Sequence, residues 1–242
     1  MRRALVLIPS VGALLALGLG ALGTFAAARS FARGDYLRRA WGLFAVCYGC
    51  LFLDVLLFGA SSPFRARAVG EHGALISGAL ILTGNLCASV SLIIVSRAWK
   101  VAGLVLSVSR RTFWVAELLL LAVVLALLGP TALSQAAQVV YGHLDASRDL
   151  ASTLGDGFAF SMLGPIFFTA RSLRGGTLAW PWGLMAVNVF SWMLVDAADI
   201  LGAALHLAPG TQLVALEVLR ASAGLSLFAA GLAQRAIVRD EL

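Results

Sequence analysis

The chain has 242 residues, 60% of them hydrophobic and only 12% charged, with a mean hydropathy of +0.93. Soluble domains run at about 45–50% apolar and about 25% charged residues, so this composition excludes an ordinary soluble domain and points to a polytopic membrane protein. The net charge of +6 comes from 18 basic residues, all arginine except Lys100; they flank apolar runs, which reads as topology signal and not as a nucleic-acid surface.

About 20 apolar residues cross a bilayer as helix. Seven stretches meet that length: 4–28, 40–60, 73–98, 113–134, 150–170, 180–205 and 211–235. The gaps between them are too short for a soluble domain, so residues 1–242 form a single polytopic domain. The expected fold is an all-α bundle of seven transmembrane helices.

The first span follows Arg2 and Arg3 and ends near Ala26-Ala27-Ala28, as a secretory signal with a small-residue cleavage site would. Its apolar run is longer than the about 7–15 residues of a signal core, so a retained span is expected. The second span carries Cys47-Tyr48-Gly49-Cys50 and Asp54, and the third carries Cys87. No histidine flanks the C-x-x-C, which reads as buried small residues and not as a redox or metal site. After the third span, Lys100 to Arg111 is basic and mildly amphipathic, suited to an anionic leaflet surface. Gly129-Pro130 and Gly164-Pro165 mark kinks or ends in the fourth and fifth spans. Gly20 and Gly23, Gly78 and Gly84, and Gly224 and Gly231 suit close helix packing.

Orientation follows from the basic residues. Arg29, Arg33, Arg38, Arg39, Arg97, Lys100, Arg110, Arg111, Arg171, Arg174, Arg235 and Arg239 fall on one side, against Arg2, Arg3, Arg65, Arg67 and Arg148 on the other. The positive-inside rule then puts the N-terminus outside and the C-terminus in the cytoplasm. Heavy use of Ala, Leu, Gly and Arg fits GC-rich bacterial coding, so the expected location is a bacterial inner membrane.

The second and sixth spans share a pattern. Trp41-Gly42-Leu43-Phe44-Ala45-Val46 aligns with Trp182-Gly183-Leu184-Met185-Ala186-Val187, and Asp54 has a later counterpart in Asp199. The match points to a 3+1+3 parallel repeat, with the fourth span as linker, an arrangement known among transporters. In topology this order resembles the sugar-transporting SWEET and PQ-loop proteins, although their Pro-Gln dipeptide is absent. The resemblance implies transport in general terms and assigns no residue.

The sixth and seventh spans hold the strongest functional signal. Asn188, Trp192, Asp196 and Asp199 fall at steps of four, four and three, which keeps them on one helix face. Glu217 and Arg220 are three apart and able to pair. Counted from the outer ends, Asp54, Asp156, Asp199 and Glu217 lie about 9 Å deep, and Asp196 and Arg220 about 13 Å deep. Ionisable groups at membrane depth are expensive and mark functional sites by default. Five carboxylates facing one arginine imply raised proton affinity, or entry of cations or water from outside.

Other constellations are missing. His72, His143 and His206 sit at outer segments without metal-ligand spacing, no nucleophile–base pair is present, and Lys100 is the sole lysine and lies in a loop. These features argue against a zinc hydrolase, a serine hydrolase, a haem protein and a retinal protein, and no cofactor or metal is expected. The expected function is carrier-like, with a polar cavity in the outer half binding or moving a small polar or cationic solute or protons. The alternative is a seven-helix sensor or a structural subunit acting through a separate partner chain.

Overall fold

The computed structural model describes residues 2–59, 62, 71–98, 108–143, 146–206 and 208–240, without the side chains of 2–6, 71, 72, 74, 148, 203, 204 and 240. Lys100, Arg65 and Arg67 lie outside the described residues, as does the side chain of His72. Among the described residues there are eight helices and no strand: α1 (Arg2–Ser30), α2 (Tyr36–Phe58), α3 (Glu71–Ser96), α4 (Arg110–Val140), α5 (Ala146–Ser161), α6 (Leu163–Ser172), α7 (Ala179–Ala204) and α8 (Pro209–Asp240). Six of them, all but α5 and α6, are long and apolar enough to cross a membrane.

Local chemistry explains several boundaries. Asp35 starts α2, its side chain accepting from the Leu37 amide at 2.8 Å. Ser109 does the same for α4, accepting from the Thr112 amide at 3.0 Å. Helix α4 runs through Gly129-Pro130 to Val140, beyond the expected end at 134. In an apolar setting an open helix end exposes several unpaired backbone groups, which costs more than the one bond Pro130 removes. The expected fifth span is not continuous. It breaks at Met162 into α5, of 16 residues, and α6, of 10 residues, with Gly164-Pro165 in the first turn of α6. Proline is accepted there because the first amides of a helix have no internal partner.

The helices close into a ring. In order around it, α8 packs on α1, α1 on α2, α2 on α3, α3 on α5, and the α5–α6 pair connects through α7 back to α8. Helix α4 stands outside the ring, packed mainly on α5. Its outward leucines are among the most exposed large apolar side chains of the molecule, Leu118 and Leu119 at 63% and 64%. An apolar surface on this scale belongs against lipid.

Lipid gives helices no hydrophobic reason to associate, so close van der Waals packing has to hold the ring together. The α1–α8 crossing shows how. A side-chain carbon at Gly224 would lie 2.5 Å from the Ala16 carbonyl, and one at Gly23 would lie 2.7 Å from the Phe228 oxygen. Backbone therefore meets backbone, an approach that only glycine permits. At one end of the ring Trp41, Phe44, Trp182, Met185 and Leu227 fill the interior. Beyond that plug the interior is partly empty, and polar side chains are interspersed among apolar ones.

Candidate functional site

A cavity of about 290 Å³ lies inside the ring, lined from α1, α2, α3, α5, α7 and α8. Its lining on α2 runs from Phe44 to Gly59, which is about 22 Å along the helix axis and ends where α2 ends. Phe44, Cys47, Tyr48, Leu51, Asp54, Val55 and Phe58 recur at helical spacing, so one face of α2 forms a wall. Helix α3 contributes Ile81, Asn85, Ala88 and Leu92, again one face, and α5 contributes Ser152, Gly155, Asp156 and Ala159. Asn188 and Trp192 enter from α7 and Arg220 from α8.

Of the eight residues singled out in the sequence, five line this cavity: Asp54, Asp156, Asn188, Trp192 and Arg220. Asp196 does not line it, but lies within electrostatic range of both Asp156 and Arg220, one turn beyond Trp192. Glu217 is buried and pairs with Arg220 at 3.3 Å, and its second carboxylate oxygen has no described partner. Asp199 stands apart. It is exposed near the α7–α8 connection, where its carboxylate accepts from Gln212 Nε2 at 3.0 Å.

Two polar clusters structure the cavity. The first joins α2 to α7. The Tyr48 hydroxyl oxygen accepts from Trp192 Nε1 at 3.0 Å and also from Asn188 Nδ2. Asn188 Nδ2 donates in addition to the Ala223 carbonyl of α8 at 2.8 Å, which fixes the orientation of its amide. With both lone pairs of the Tyr48 oxygen taken, its hydrogen is left to donate, and no acceptor for it is found among the described residues. The second cluster lies further toward the end of α2. Ser77 donates to Asp54 at 2.5 Å, Ser152 donates to Asp156 at 3.3 Å, and Asn85 ties α3 to the Ala151 carbonyl of α5 at 3.2 Å.

Tyr48, Asn85, Ser77 and Ser152 did not stand out in the sequence, and only the α3 pair left a faint pattern there. Ser77, Ile81, Asn85, Ala88 and Leu92 follow steps of four, four, three and four, a stripe in which two polar residues recur on one face. Glu117, an ionisable residue in the fourth expected span, lies away from this cavity. It packs against Gly164 of α6, with one buried carboxylate oxygen lacking a described partner. Cys47, Cys50 and Cys87 are free thiols; a side-chain carbon at Gly84 of α3 would meet Cys50 Cβ at 3.6 Å and Cys47 Sγ at 4.0 Å. His143 and His206 are exposed.

The fold and composition together define the class of the molecule. It is a multi-pass integral membrane protein. No family model, characterised protein or solved structure matches the chain.

Proposed function

We propose that the chain is a small carrier-like membrane protein whose central cavity binds and moves a small cationic or polar solute, or protons. The observation that supports this reading most strongly is the position of Asp156 in the cavity lining, with Arg220 already engaged by Glu217. Asp156 has no basic partner among the described residues, and a cation is the natural occupant beside such a group. The cavity volume of about 290 Å³ falls just below the range of drug-sized pockets, about 300–1,000 Å³, and so suits a small solute.

In this reading the bundle has seven spans, α5 and α6 together forming one broken crossing. A broken helix at membrane depth is tolerated where it lines a cavity, and α5 does. The N-terminus lies outside and the C-terminus in the cytoplasm, which puts Gly59 and the cavity end near the outer surface. In this reading the ring divides into two halves, α1–α3 and α5–α8, joined through α4 outside the ring and hinged at the close α1–α8 crossing. Trp41 of α2 and Trp182 of α7 are both buried at matching positions of the two related helices. Parallel halves enclosing a site between them are a transporter arrangement, and rocking one half against the other gives alternating access. The Tyr48–Asn188–Trp192 cluster bridges α2 and α7 near the inner end of the cavity, as a gate between halves would. A bacterial inner membrane is the proposed location.

Binding can be tested with purified protein in detergent, using thermal stabilisation by a panel of protonated amines and quaternary ammonium ions. Wild type is expected to be stabilised by at least one compound and Asp156→Asn by none, with both proteins remaining folded. Equal stabilisation of the two proteins would remove Asp156 from the site.

A further inference from the structure

A second cavity lies on the lipid-facing side, in the angle between α4, α6 and α7, with a volume of about 860 Å³. It exists because α4 packs on α5 and diverges from α7. Its walls are apolar, including Leu120, Phe167 and Phe190, and small residues such as Gly164 and Gly183 deepen it. Its polar members are Arg171 and Arg174, one turn apart at the end of α6. Both are exposed and neither has an ion-pair partner among the described residues.

More positive charge gathers at the same end. Phe113 of α4 packs on Phe168 of α6 with ring centroids 5.5 Å apart, which brings the start of α4 beside the end of α6. Arg110 and Arg111, both exposed, therefore share that rim with Arg171 and Arg174. Trp114 and Trp180 are exposed there too, at 54% and 71%, as aromatic residues are where a helix meets the headgroup layer. The acid on this face, Glu117, lies against Gly164, seven residues before Arg171 and so about 10 Å deeper.

We infer that this groove is a binding site for an anionic phospholipid of the surrounding leaflet. Its acyl chains lie along Leu120, Phe167 and Phe190, and its phosphate is held by Arg171 and Arg174. Planar guanidinium groups bind phosphate oxygens in pairs, and basic pockets between spanning helices select anionic headgroups. The site is separate from the central cavity and stands or falls independently of the carrier reading.

Native mass spectrometry of the full-length protein, titrated with phosphatidylglycerol and with phosphatidylcholine, tests the inference. Each arginine near the surface contributes about fivefold to anionic-lipid affinity, so with Arg171 and Arg174 wild type should prefer phosphatidylglycerol by about 25-fold. The pair Arg171→Gln and Arg174→Gln should remove that preference while leaving weak binding of both lipids. Gly183→Leu should displace both lipids, because a side chain at Gly183 meets no atom within 4 Å and would fill the groove without strain. An unchanged preference in the double arginine variant would overturn the inference. So would phosphatidylglycerol retention that survives Gly183→Leu, or a co-purifying membrane helix seated in the groove. Water-soluble glycerol phosphate should not compete, and competition by it would mean that the arginines bind phosphate without the groove.

Discussion

Tyr48→Phe removes one oxygen atom from the bundle and exposes what that atom does. The hydroxyl oxygen accepts from Trp192 at 3.0 Å and from Asn188, and so links α2 to α7 across the cavity. After the substitution Asn188 keeps its bond to the Ala223 carbonyl, but its second hydrogen and the Trp192 N–H lose their acceptor. Interhelical hydrogen bonds in membrane proteins contribute on average about 0.6 and at most about 1.7 kcal/mol each. Two together come to about 1–3 kcal/mol, close to the cost of stranding buried donors. Reversible unfolding in mixed micelles should therefore show a loss of about 1–3 kcal/mol for Tyr48→Phe. A double-mutant cycle with Trp192→Phe should return a coupling of about 0.5–1.5 kcal/mol. Stability within about 0.5 kcal/mol of wild type, the level of a neutral surface change, would refute the idea that this oxygen holds the two halves together.

Other substitutions probe separate parts of the account. Arg220→Ala leaves the buried Glu217 without its partner, and a lost charged hydrogen bond of this kind costs about 2 kcal/mol in the same unfolding assay; adding Glu217→Gln should recover most of it. Gly224→Leu should prevent stable assembly, read as loss of a monodisperse peak in size-exclusion chromatography, because its side chain would meet the Ala16 backbone at 2.5 Å. Asp199→Asn should leave both stability and solute response within about 0.5 kcal/mol of wild type, since Asp199 is exposed and lies off the cavity; a full loss of response in binding assays would place it in the site after all.

The sequence carried the helices well because crossing a membrane demands long apolar runs, and little else produces them. The α5–α6 break was harder to read. Gly164-Pro165 signalled either a kink or an end, and only the neighbours of the helix decide between them. Depth counting brought Asp54, Asp156 and Arg220 into one outer-half layer, and all three line the same cavity from helices that face the inside of the ring. It failed for Asp199, which shares a face with Asp196 but lies past the end of the cavity, where Gln212 takes it up. Tyr48 and Asn85 were hidden for a different reason. Neutral polar residues cost little in an apolar run, so their importance emerges only with the partner helix beside them. Glu117 is the reverse case, a costly residue in the fourth span that the ring leaves outside.

In the proposed function, acidic residues inside the ring bind a cation on its way across the membrane. Solid-supported-membrane electrophysiology on proteoliposomes measures this directly, as charge displaced when protonated amines or a pH step are applied. A saturable displacement is expected for wild type and for Asp199→Asn, and none for Asp156→Asn reconstituted at equal density. Charge displacement in Asp156→Asn equal to that of wild type, or none from wild type under any of these conditions, would contradict that function.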